Sequence, residues 1–114
     1  MLQIANYKVL KSLMEAIYHR KLIALALWVS HRESSFCVTS GYREGDSGVH
    51  GAIPCRAIDV RSHDYDDPQA VCDDINSRWK YDPQRPEMVC ALYHNVGQGW
   101  HIHLQVHPNT EYME

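Results

Sequence analysis

Trp100-His101-Ile102-His103-Leu104-Gln105-Val106 alternates without a break: bulky apolar residues stand at 100, 102, 104 and 106, polar ones at 101, 103 and 105. Successive side chains of a β-strand point to opposite faces of a sheet, so this pattern predicts a half-buried strand. Its apolar face, Trp100 included, belongs to a core. Its polar face presents two imidazoles side by side, and histidine is the commonest metal ligand among side chains.

Upstream, Met88 to Tyr93 reads as a second strand. The loop between the two carries Gly97 and Gly99, which predicts a hairpin. Asp67-Pro68 has the form of a helix start, with aspartate as N-cap and proline at the first helical position. Val71, Ile75 and Trp79 follow at spacings of four, a helix of about three turns. Cys55 to Arg61 is a strand with Ile58 and Val60 on its buried side and Asp59 between them. The stretch EGDSGVHGAIP, residues 44–54, holds three glycines and a proline and forms a loop. Phe36 to Thr39 is a short strand. Residues 6–31 read as helix, with Leu10, Leu13, Met14 and Ile17 on one apolar stripe. The tail from Pro108 is expected to fray. The order helix, strands, helix, hairpin gives an α+β class, a small antiparallel sheet with flanking helices.

The 114 residues are expected to form a single domain, residues 1–114, around one core. Net charge is -3, and the 11 lysines and arginines form no long run, so neither nucleic acid nor an anionic membrane is an expected partner. The longest apolar run, Leu22 to Val29, is far shorter than the roughly 20 residues a bilayer requires. The first residues lack the basic start of a signal peptide, so cytoplasmic synthesis is expected, with any export by another route. Cys37, Cys55, Cys72 and Cys90 form no C-x-x-C pair and read as reduced core fillers. A monomer is expected.

Asp59 lies inside the otherwise apolar Ala57-Ile58-Asp59-Val60. A charge there needs solvent, a partner or a metal, because unpaired burial is expensive. His50 stands nine residues earlier in the glycine-rich loop. His50, Asp59 and His103 together supply two nitrogens and one oxygen. Three protein ligands with a vacant fourth position make a catalytic zinc arrangement. The same set also suits a mononuclear Fe(II) centre, and spacing alone favours the plainer reading, surface histidines and a solvated aspartate.

Four segments narrow the choice: Ser40-Gly41-Tyr42-Arg43; Ser47 and His50 in the loop; Arg56-Ala57-Ile58-Asp59-Val60; and His101-Ile102-His103. In this order they resemble the M15 zinc peptidases, a family that includes D-Ala-D-Ala carboxypeptidases, phage L-alanyl-D-glutamate endolysins and the related hedgehog signalling domain. The resemblance covers residues 36–106. It implies a hedgehog/DD-peptidase-like fold with zinc on His50, Asp59 and His103, and it casts Arg43 as the arginine that orients a substrate carboxylate. It implies peptidoglycan stem peptides as substrate and a phage or prophage lytic protein as setting. Two spacings differ: His50 to Asp59 is longer than is usual in the family, and Ser47 stands one residue farther from the histidine. The family's acidic general base is also missing, since no acidic residue lies between Cys90 and His101. His94, which follows Tyr93 where the acid would stand, is expected to serve as base, and His101 to stabilise the oxyanion. The alternative is a catalytically inactive metal-binding module of the same fold, an interaction or virion component.

Overall fold

The computed structural model describes residues 2–97 and 99–114. The chain starts with a short strand, β1 (Leu2–Ile4), followed by helices α1 (Tyr7–Glu15) and α2 (Arg20–Arg32). Asn6 caps α1 by accepting the Val9 N–H. The single helix expected over 6–31 is thus two. Ala16 is extended, and Tyr18 forms an isolated parallel bridge with Cys55. The Cys55 N–H donates to the Ile17 carbonyl at 2.7 Å, and the His19 N–H donates to the Cys55 carbonyl at 2.9 Å. A distant backbone therefore takes these groups from the helix ladder, and His19 restarts the helix by accepting the Lys21 N–H. The break also changes which side chains are covered. Val9 is buried and Leu13 packs on the core, whereas Leu10, Met14 and Ile17 of the expected stripe are exposed.

Strands β2 (Phe36–Ser40) and β3 (Ala57–Arg61) follow, then helix α3 (Pro68–Arg78) and the short strand β4 (Trp79–Lys80). Asp67 caps α3 through the Ala70 N–H, with Pro68 in its first turn, as expected. The hairpin comprises β5 (Ala91–Asn95) and β6 (Trp100–Gln105). The first hairpin strand begins later than the expected Met88, because the Asn76 side chain on α3 takes the Cys90 and Ala91 N–H groups and donates to the Ala91 carbonyl. Gly97 and Gly99 both adopt positive φ, which closes the hairpin. The tail does not fray. Lys21 donates to the Pro108 and Thr110 carbonyls, and β7 (Glu111–Tyr112) pairs with β4.

The main sheet has the order β1-β2-β3-β6-β5. The α+β class holds, but the sheet is mixed, since β1 joins β2 in parallel. One face carries Ile58, Val60, Ile102 and Leu104 into a single core with Leu22, Leu25, Val29 and Ile75 of the helices. Trp100 does not join it. At the first position of β6, opposite Asn95, it is 59% exposed and stacks on Tyr93. Alternation sets the side a residue points to; its place at a strand end sets how much covers it. All four cysteines are free and buried, and burial pushes the Cys72 and Cys90 thiols up to about 12. Among the described residues, no helix is long and apolar enough to cross a membrane.

Candidate metal centre

The other face of the sheet is polar, and strand register builds it. Asp59 lies opposite His103, Arg61 opposite His101, and His94 opposite His101 on the other side. Asp59 and Arg61 are two residues apart on β3, as His101, His103 and Gln105 are on β6, so all leave the sheet on one side. A bulge between Val38 and Ser40 brings Ser40 opposite Asp59 and turns the chain toward Arg43.

His50 reaches this face from the loop, which backbone bonds fold back onto the sheet. The Arg43 N–H donates to the His50 carbonyl and the Arg56 N–H to the Val49 carbonyl. A Cβ on Gly51 would meet the Asp46 carbonyl oxygen at 1.8 Å, so the tight turn beside His50 requires glycine. Between His50 and Asp59 the chain runs outward, and Ile53 and Pro54 are exposed.

His50, Asp59 and His103 are all buried, and one donor atom from each lies within 4.8 Å of the others. This group can hold a metal ion. Asp59 Oδ1 is 3.1 Å from His103 Nδ1 and 3.3 Å from His50 Nε2. The far nitrogens fix which atoms carry protons. His50 Nδ1 lies 2.9 Å from the Gly41 carbonyl, an acceptor, so Nδ1 donates and Nε2 of the neutral ring is a bare lone pair. Gln105 Nε2 donates to the Val89 carbonyl at 2.8 Å, which turns Gln105 Oε1 toward His103 Nε2 at 3.0 Å. His103 therefore donates from Nε2 and faces Asp59 with the Nδ1 lone pair. Lone pairs converging on a carboxylate oxygen require a cation among them, either a proton or a metal ion. Outer acceptors that fix the tautomer are the usual second layer of a histidine metal site.

The carboxylate is oriented as well. Arg43 Nη2 donates to Asp59 Oδ2 at 2.8 Å and to Ser40 Oγ at 3.0 Å, which leaves Oδ1 to the imidazoles. Burial pushes the Asp59 carboxyl up. When protons rather than a metal ion stand between the rings and the carboxylate, hydrogen bonds from His103 and His50, with the charges of His50 and His101, outweigh it and hold the group well below the usual carboxylate range.

His101 and His94 lie beside the group rather than in it. His101 Nε2 is 3.5 Å from Asp59 Oδ1 and 3.1 Å from His94 Nε2. His101 Nδ1 faces the Gly99 carbonyl at 3.1 Å and donates to it, so in the neutral pair His94 donates to His101 Nε2. Burial, then the neighbouring His101 and His103, push His94 below the ordinary histidine value. Glu87 is exposed in the connector before β5, and Ser47 is exposed in the loop. Sequence reasoning missed Gln105 and Arg61. The alternation that placed His101 and His103 on the polar face also places Gln105 there, so its signal was present.

No protein-family model, curated protein or solved structure matches the chain.

Proposed function

We propose that the protein is a zinc-dependent peptidase acting on the stem peptides of peptidoglycan. The observation that carries this reading is the convergence of two imidazole lone pairs on Asp59 Oδ1, each fixed by an acceptor behind its ring. Two nitrogens and one oxygen form a borderline donor set that suits zinc, and three protein ligands leave a fourth position for water. Zinc bound there supplies a coordinated water of pKa near about 7 and polarises a substrate carbonyl.

The remaining work belongs to the side chains. Arg43 holds Asp59 in the orientation that frees Oδ1. His101 is the imidazole nearest Asp59 outside the ligand set, so in this reading its Nε2 gives up the hydrogen bond it accepts from His94 and takes the proton of the attacking water instead. His94, whose N–H leaves His101 Nε2 in that step, keeps the His101 ring in place through the edge contact between the two rings. The pair stands in for the carboxylate base that the resemblance leads one to expect. The choice of stem peptides rests on the resemblance of residues 36–106 to the M15 peptidases.

Purified peptidoglycan incubated with the zinc-loaded protein and analysed by mass spectrometry tests the reading. Released peptides with new termini are expected from the native protein and not from Asp59→Ala. Stoichiometric zinc without any released peptide would reject it. A second reading, a metal-binding module without hydrolysis, is favoured by one observation: Asp59 is the only carboxylate among the described residues lining the adjoining cleft. Hydrolysis that appears in His94→Glu but is absent from the native protein would select it.

A further inference from the structure

Beside the metal group, the hairpin brings a further pair of imidazoles together. His94 on β5 stands directly opposite His101 on β6, and directly opposed residues carry their side chains to one face of a sheet. The rings meet at 73° with centroids 4.7 Å apart, and Nε2 of one lies 3.1 Å from Nε2 of the other. Two nitrogens on a tetrahedral zinc ion, each at about 2.0–2.1 Å from it, are about 3.3–3.4 Å apart. A small opening of the pair therefore admits the ion where a single proton stands. The outer ring atoms permit the exchange. His101 Nδ1 donates to the Gly99 carbonyl at 3.1 Å, which leaves His101 Nε2 a bare lone pair. Among the described residues His94 Nδ1 makes no hydrogen bond, so this ring can carry its proton there and present a second bare Nε2.

Access and charge set the strength of such a site. His101 lines an open cleft of about 280 Å³ with Asp59, Arg61 and His63, which gives an ion a path in. Asp59 Oδ1 is 3.5 Å from His101 Nε2 as well as 3.1 and 3.3 Å from the nitrogens of His103 and His50, so its negative charge attracts a cation at either place. Two terms oppose binding: the pair offers two protein donors rather than three, and Arg61 stands opposite His101 on β3 with its positive charge. Paired imidazoles suit zinc rather than magnesium or calcium.

We propose that His94 and His101 form a second, weaker zinc site whose filling switches off hydrolysis at the first. The switch rests on the peptidase reading above; the site does not. Zinc on His101 Nε2 occupies the lone pair that otherwise takes the proton of the attacking water. The protein is then active with one zinc and silent with two, and the weaker site makes it responsive to zinc in excess.

Calorimetric titration of zinc chloride into protein already carrying one zinc tests the site without turnover. The native protein is expected to take up a second equivalent, which dialysis removes while the first stays. His94→Ala and His101→Ala should each lose the second equivalent and keep the first, and the retained zinc shows that they fold. His63→Ala, changed at an exposed histidine of the same cleft, should bind both. Hydrolysis of peptidoglycan by the native protein should fall about 10²- to 10⁴-fold as the second equivalent binds, the usual worth of a general base. A native protein that takes up no second equivalent, or a second equivalent that survives in His94→Ala, overturns the proposal. Hydrolysis undiminished at saturating zinc overturns it too. The two readings fail separately. Hydrolysis by a protein that binds only one zinc sinks the second site and leaves the peptidase. A second equivalent that depends on His94 and His101, without hydrolysis at any zinc level, sinks the peptidase and with it the switch, and leaves the site.

Discussion

Replacing Gln105 with leucine tests how the site prepares its histidines. The Gln105 amide is held at both ends, with Nε2 on the Val89 carbonyl and Oε1 on His103 Nε2. Leucine has nearly the same volume but accepts no hydrogen bond. His103 would then divide between its two tautomers, and the form with a bare Nδ1 would no longer be selected. Outer partners of metal-binding histidines are typically worth 10–100-fold in metal affinity. Gln105→Leu should therefore weaken zinc binding by about that factor, equivalent to about 1.4–2.7 kcal/mol. It also leaves the part-buried Val89 carbonyl without its donor, a stability cost of about 1–3 kcal/mol. The two effects are separable. Competition against a chromophoric chelator reads the zinc affinity of the folded protein, and urea unfolding in excess chelator reads stability without metal. A stability loss with native zinc affinity would refute the tautomer argument and reduce Gln105 to a packing residue.

Gly51→Ala should displace the loop that carries His50, because its Cβ would fall 1.8 Å from the Asp46 carbonyl oxygen; zinc affinity at least tenfold weaker, with a native-like circular dichroism spectrum, is the expected result. The metal-free protein should lose stability in acid through Asp59. Its carboxyl is held below the ordinary value, so the folded state binds fewer protons than the unfolded one. The stabilisation it contributes is complete above about 3.9 and drains away as pH falls below that value, a slope that urea titrations between pH 5 and 2 should find reduced in Asp59→Asn. Hydrolysis should fall about 10²–10⁴-fold in His101→Ala, the usual worth of a general base, and less in His94→Ala, with zinc retained in both. The reverse order in initial-rate assays would return the role of base to His94.

The hairpin and β3 were legible because strand geometry forces alternation, and alternation is visible in single residues: Ile58 and Val60 against Asp59, Ile102 and Leu104 against His101 and His103. The start of α3 was legible because its cap is local, Asp67 accepting from Ala70 three residues on. The break between α1 and α2 was not, because its cause lies far along the chain. Cys55 takes the backbone groups of Ile17 and His19, and no glycine or proline at 16–19 announces it. The docked tail was hidden for the same reason, its anchor being Lys21. Within the site, Asp59 and His103 were legible as neighbours from the sheet face that alternation gives them, and His50 joins them from the loop to form a group that can hold a metal ion. The engagement of Arg43 with Asp59 was not legible, because it depends on the bulge in β2 that turns Arg43 inward.

The central claim is that His50, Asp59 and His103 form a three-ligand zinc centre. Elemental analysis of protein purified without chelator, for the native chain and for His103→Ala, tests it most directly. One zinc per native chain and none in the variant is the predicted result. No stoichiometric zinc in the native protein, or a full equivalent kept by His103→Ala, would contradict it.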